Sequence, residues 1–175
     1  MRAPLDVCAR LLRWALGVCI SGDSSGDVNP QAGRRRVTVK FTDVTPNLIV
    51  SDIDRSLAFY RDVLGFSLVT SVPDAAPFVF VWMQRDGVSV FLNTLASVKD
   101  EQPDLAARTI GGTASLYMIV EADTAALGVD ALFEQVKGKA RVLMPLKTQF
   151  YGMREFGIED PDGYVIYAAQ RVGEP

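Results

Sequence analysis

The chain has 175 residues, 49% of them apolar and 22% charged, the balance of one ordinary globular domain or of two small repeats sharing a core. It contains no histidine, so Ser-His-Asp and Cys-His nucleophilic sites, imidazole bases and histidine-held metals are excluded. Its net charge of −3 is uneven: residues 1–40 carry seven Lys/Arg against three acids, the remainder eleven against eighteen. An acidic body without a basic stripe argues against nucleic acid as a partner.

The first stretch, "LLRWALGVCISG" (11–22), is interrupted by Arg13 and is too short to cross a bilayer. Val18, not a small residue, precedes Cys19, which fits a secretory or lipoprotein signal poorly. Cys8 and Cys19 are the only cysteines, so the rest of the chain has no disulfide framework and no cysteine-held metal. "SGDSSGDVNPQAGRRR" (21–36) has the composition of a linker, and Arg34–Arg36 reads as a solvated charge run ahead of the alternative, a nucleic-acid or phosphate contact. Residues 1–40 are therefore expected to form a poorly ordered or weakly structured extension. The expected setting is cytoplasmic, with no membrane partner.

The remaining residues, 41–173, repeat themselves. "NLIVSDIDRSLAFYRDVLG" (47–65) parallels "YMIVEADTAALGVDALFEQVKG" (117–138), and "RDGVSVFLNT" (85–94) parallels "PDGYVIYAAQ" (161–170). Each half reads as strand, helix, then three strands, giving modules at 43–95 and 113–171. In the first helix Asp52 is the expected N-cap, Ile53, Leu57, Tyr60 and Leu64 form one apolar stripe, and Gly65 ends it. In the second, Asp123 is the expected cap, Val129, Leu132, Phe133 and Val136 form the stripe, and Gly138 ends it. "PFVFVWMQ" (77–84) reads as a strand, with further strands near 66–72, 141–150 and 154–160. Gly111-Gly112 precedes a strand and reads as a flexible joint between the halves.

The repeat, with "SDIDRSLAFYRDVLGF" and "REFGIEDPDGYVIY", resembles the vicinal oxygen chelate superfamily of glyoxalases, extradiol dioxygenases and bleomycin-resistance proteins. "TPNL" ahead of the helix looks most like the bleomycin-resistance branch. The resemblance implies an α+β fold in which two βαβββ modules form a curved mixed sheet around a cleft, with helices on the convex side. It also implies a homodimer. Metal-using members hold their ion at four concave positions, which here carry Thr45, Phe91, Ser115 and Tyr167. Two rings and two neutral hydroxyls do not replace the water of a divalent ion, so no metal and no cofactor is expected.

Alternation along the strands then groups the candidate ligand contacts. Asn47, Asn93 and Tyr117 converge on one inferred face with Phe91 and Tyr167, making polar handles in an aromatic pocket. The same rings would equally serve as core between the halves. Phe78, Phe80 and Trp82 share one side of the 77–84 strand and Val79, Val81 and Met83 the other, and sequence does not fix which faces the cleft. Phe80 and Trp82 are taken as ligand contacts because flat rings stack on planar ligands. Tyr151 and Glu155 lie in the rim segment "QFYGMREFG". Glu155 reads as a partner for a cationic ligand group, as a base, or as a member of a surface salt bridge near Arg154. The leading functional expectation is a metal-free binding protein that sequesters an aromatic or cationic antibiotic-like compound. The alternatives are a lyase, isomerase or dioxygenase-type enzyme with a non-standard site at Glu155, Glu121 or Tyr167, and an interaction module without a small ligand.

Overall fold

The computed structural model describes residues 40, 42–99 and 102–173. The expectations for the N-terminal extension, including Cys8, Cys19 and Arg34–Arg36, lie outside the described residues. The elements are β1 (Asn47–Val50), α1 (Ile53–Asp62), β2 (Ser67–Val72), β3 (Phe80–Arg85), β4 (Val88–Thr94), α2 (Leu95–Lys99), α3 (Pro103–Ala106), β5 (Ser115–Ile119), α4 (Val129–Val136), β6 (Arg141–Thr148), β7 (Met153–Glu159) and β8 (Val165–Arg171). The strands form two four-stranded sheets of order β1-β4-β3-β2 and β5-β8-β7-β6. In each, the first strand runs parallel to the last and the other pairs are antiparallel. The fold is α+β with two βαβββ modules, and the sequence repeat is a repeat of topology.

Local chemistry explains most element ends. The Asp52 carboxylate accepts from the Arg55 amide at 3.0 Å, which satisfies one of the free donors of the first turn of α1. Ile53, Phe59, Tyr60 and Leu64 are buried against the sheet. The chain then turns through Gly65 at φ 72°, where the Phe66 amide donates to the Tyr60 carbonyl at 2.9 Å. The second helix departs from expectation. It begins at Val129, not after Asp123, and its cap is Gln170 from β8, whose Oε1 accepts from the Val129 amide at 2.9 Å while Nε2 donates to the Ala122 carbonyl at 3.0 Å. Gly128 is needed there, because a Cβ would run into the Gln170 side chain. Two further corrections concern lengths: β3 starts at Phe80, not Pro77, and the connection between modules carries the short helices α2 and α3. Gly111, at φ 74°, packs against the Asp162 carbonyl so closely that no Cβ fits, a tight seat where a loose joint was expected.

The helix-facing sides of both sheets meet in one core. Leu48, Val50, Val81, Met83, Val90 and Leu92 of the first module join Phe156, Ile158, Ile166 and Ala168 of the second. The turn between β7 and β8 locks the modules together. Asp162 accepts from the Ser51 amide at 3.1 Å and the Ser56 hydroxyl at 2.9 Å, and pairs with Arg55 at 3.3 Å. Buried Asp160 accepts from the Tyr60 hydroxyl at 3.3 Å, and the Tyr164 hydroxyl donates to the Ile49 carbonyl at 3.0 Å. The opposite, concave side of each sheet is left outside this shared core.

Candidate functional site

On the first sheet the register settles which side of β3 faces outward from the core. Trp82 pairs with Phe91 and Phe80 with Asn93, while β1 places Asn47 beside Phe91. Val81 and Met83 are buried against the helix side, so Phe80 and Trp82 share the concave face with Phe91 and Asn93. Phe91 takes edge contacts from Phe80 and Trp82, with centroids 5.3 and 5.7 Å away. The Trp82 indole donates to the Ser89 hydroxyl at 3.1 Å, and the Asn93 amide to Asn47 Oδ1 at 2.5 Å. Phe80 is buried beside Phe91, whereas Phe78 precedes the strand and packs against the core.

The second sheet carries a different chemistry. Tyr117 of β5 pairs with Tyr167 of β8, their rings tilted with centroids 6.1 Å apart. Gly157 of β7 lies opposite Tyr167 and leaves space for its ring, since a Cβ there would sit 2.9 Å from Cε1. Beside them stands Glu155, only 3% exposed. Its carboxylate accepts from Tyr117 Oη at 2.5 Å, Tyr151 Oη at 2.7 Å and Gln149 Nε2 at 2.9 Å. Burial acts to raise its pKa, but these three hydrogen bonds, with Lys147 nearby, outweigh it and hold the carboxyl below its ordinary value. Burial of the Tyr117 hydroxyl and its bond to Glu155 push that phenol upward, and the bond to Glu155 does the same for Tyr151. The surface salt bridge considered for Glu155 does not form: Arg154, on the other side of the strand, pairs with Asp130 at 2.5 Å, and Glu155 has no ion pair among the described residues. Gln149 was not singled out from sequence, although it opens the rim segment that supplied Tyr151 and Glu155.

The nine candidate residues, whose polar handles were expected to converge on one face, fall into two groups. Asn47, Phe80, Trp82, Phe91 and Asn93 meet on the first sheet, and Tyr117, Tyr151, Glu155 and Tyr167 on the second. Among the described residues no hydrogen bond or ring contact joins one group to the other. Thr45 precedes β1 and Ser115 pairs with Val165, so the strand partners of Phe91 and Tyr167 are Asn47 and Tyr117. This donor set does not suit a divalent ion. Its one carboxylate, Glu155, is committed to three donors, and among the described residues no three His, Cys, Asp or Glu side chains lie close enough to share a metal.

Comparison with known proteins agrees with this architecture. Residues 40–167 match the family model described as the Glyoxalase/Bleomycin resistance protein/Dioxygenase superfamily. A bleomycin resistance protein of Geobacillus stearothermophilus is 31% identical over 138 residues, 73% of this chain and 95% of that protein. Among solved structures, a protein of unknown function from Agrobacterium tumefaciens str. C58 aligns with a TM-score of 0.58 at 26% identity, covering 77% of this chain and 98% of that one. A glyoxalase/bleomycin resistance protein/dioxygenase from Nocardioides aligns with a TM-score of 0.62 at 19% identity, covering 80% and 91%. With a family match over most of its length, a relative above 30% identity and the paired βαβββ modules, the chain belongs to the glyoxalase/bleomycin resistance/dioxygenase superfamily.

Proposed function

We propose that this protein binds and sequesters a small cationic aromatic compound, without a metal and without turning it over. Glu155 carries the reading. A carboxylate that is 3% exposed, held ionised by two phenols and an amide, with Lys147 nearby but no ion pair in contact among the described residues, is a buried charge that a ligand cation can pair with. Tyr117 and Tyr167 beside it, and Trp82 and Phe91 on the other sheet, offer ring faces for a planar cation. The resistance proteins among its relatives support a sequestering role. The expected assembly is a homodimer in the cytoplasm, with the concave face of one sheet closing on that of a second copy. Tyr117 at 51% exposure and Ile119 at 56% are large apolar surfaces that such a contact would cover.

Titration calorimetry of the unchelated protein against bleomycin-type and other planar cationic compounds tests this, with recovery of the compound afterwards and elemental analysis of the protein. Saturable binding, an unchanged compound and no stoichiometric manganese, iron, nickel or zinc are expected. A stoichiometric metal, or a converted product, would overturn the reading in favour of an enzyme.

A further inference from the structure

The internal repeat exposes a difference between modules that the concave faces do not explain. In the first module α1 begins three residues after β1 and seals its core side, leaving Leu48 and Val50 at 4% and 0% exposure. Their counterparts seventy residues later, Met118 and Val120, are only half-buried, because α4 begins ten residues after β5. Where the first turns of a helix would lie, there is a cavity of about 670 Å³. Its floor is Met118, Val120, Phe156, Ile166 and Ala168, and α4 and the β3–β4 turn wall it. Its volume falls in the range of small-molecule sites. Arg85 at the rim is already engaged, donating to the Leu64 carbonyl at 2.7 Å and pairing with Asp86 at 3.6 Å. Glu121, also at the rim, is exposed and has no ion pair among the described residues, so the opening carries an uncompensated negative charge.

We propose that this cavity is a second small-molecule site, separate from the concave faces, for a ligand whose apolar body takes the place of the missing helical turns and whose cationic head lies at Glu121. Half-buried Met118, Val120 and Leu132, exposed Leu127 and the ligand's own apolar body supply affinity through area removed from water, since Phe156, Ile166 and Ala168 of the floor are already buried. Glu121 selects the sign of the head group. None of the nine concave-face candidates lines it, so its occupancy is independent of binding on those faces.

The test uses the full chain and calorimetry with alkyltrimethylammonium ions below their micellar concentrations. Saturable one-to-one binding is expected, tightening about fourfold per methylene from hexyl to octyl, with octyl sulfate weaker by about tenfold. Glu121→Gln removes the preference for the cation. Ala131→Phe fills the cavity from α4 and Gly87→Phe narrows its mouth from a position where a Cβ meets no atom within 4 Å. Each weakens octyl binding by about tenfold or more, whereas Trp82→Ala and Glu155→Gln leave it unchanged. If either filling variant fails to fold, the Glu121→Gln comparison, at an exposed position, still decides. Equal affinity for the ammonium and the sulfate, wild-type binding in both filling variants, loss of binding in Trp82→Ala or Glu155→Gln, or no saturable binding would each overturn the proposal.

Discussion

Glu155 and Asp160 are both buried carboxyls on or just beyond β7, and their surroundings move them in opposite directions. Glu155 has three side-chain donors and is lowered, so its contribution to stability is present above the ordinary carboxyl range and lost as pH falls through its depressed folded value. Cation binding that depends on it should therefore persist into mildly acidic solution. Glu155→Gln should weaken a cationic ligand by about 1.5–3 kcal/mol, read by calorimetry, while circular dichroism shows the fold intact. Asp160 is raised, chiefly by burial, against the pull of hydrogen bonds from the Tyr164 and Asp162 amides. Its contribution is full below the ordinary aspartate value and is lost as pH rises through the raised one. Asp160→Asn keeps the acceptor for both amides and gives Tyr60 a neutral partner. Thermal melts should show the variant more stable than the parent at neutral pH, with the difference vanishing near pH 3. From sequence Glu155 is already a candidate partner for a cationic group, but its three donors are not foreseen, and Asp160 is not singled out. Adjacency suggested a surface salt bridge in the neighbourhood of Arg154, but strand alternation sends Arg154 and Glu155 to opposite sides, and only the fold shows what each one meets.

At the scale of elements, what sequence revealed followed periodicity. The stripes of α1 and α4, the glycine after α1 and the strand runs were all legible because burial imposes their spacing. The face of β3 was not, since Phe80 and Trp82 on one side and Val81 and Met83 on the other are all apolar, and only pairing with β4 distinguishes them. Helices of five and four residues, α2 and α3, are too short to carry a period. The late start of α4 was hidden for another reason: its cap comes from Gln170, more than forty residues downstream, while Asp123 offered a plausible local one. Gln170→Ala would leave the Val129 amide and the Ala122 carbonyl without their partner. It should cost about 1–2 kcal/mol, a fall in Tm of several degrees by calorimetric scan, with ligand binding on the first sheet unaffected.

For the whole molecule the decisive fact is that the modules share a core through their helix-facing sides, so one chain presents two faces of different character. Aromatic rings and an asparagine pair occupy one, tyrosines and a buried carboxylate the other. Strand alternation told which residues share a side of a strand, but the expectation that Asn47, Asn93 and Tyr117 share one face did not follow from it, because which faces meet is set by packing between modules and between chains. If a complete site takes one face from each of two copies, damage to the two faces should complement. A double variant Trp82→Ala, Phe91→Ala removes the first face, and Glu155→Gln the charge of the second, so neither homodimer retains full affinity. Unfolding and refolding an equimolar mixture gives a population in which half-sites combine at random, and a mixed dimer holds one site with both faces intact and one with neither. High-affinity binding should return at about a quarter of the wild-type stoichiometry, with the affinity of the wild type. A site confined to one chain would give no recovery on mixing, and titration calorimetry of the refolded mixture separates the two outcomes by stoichiometry alone.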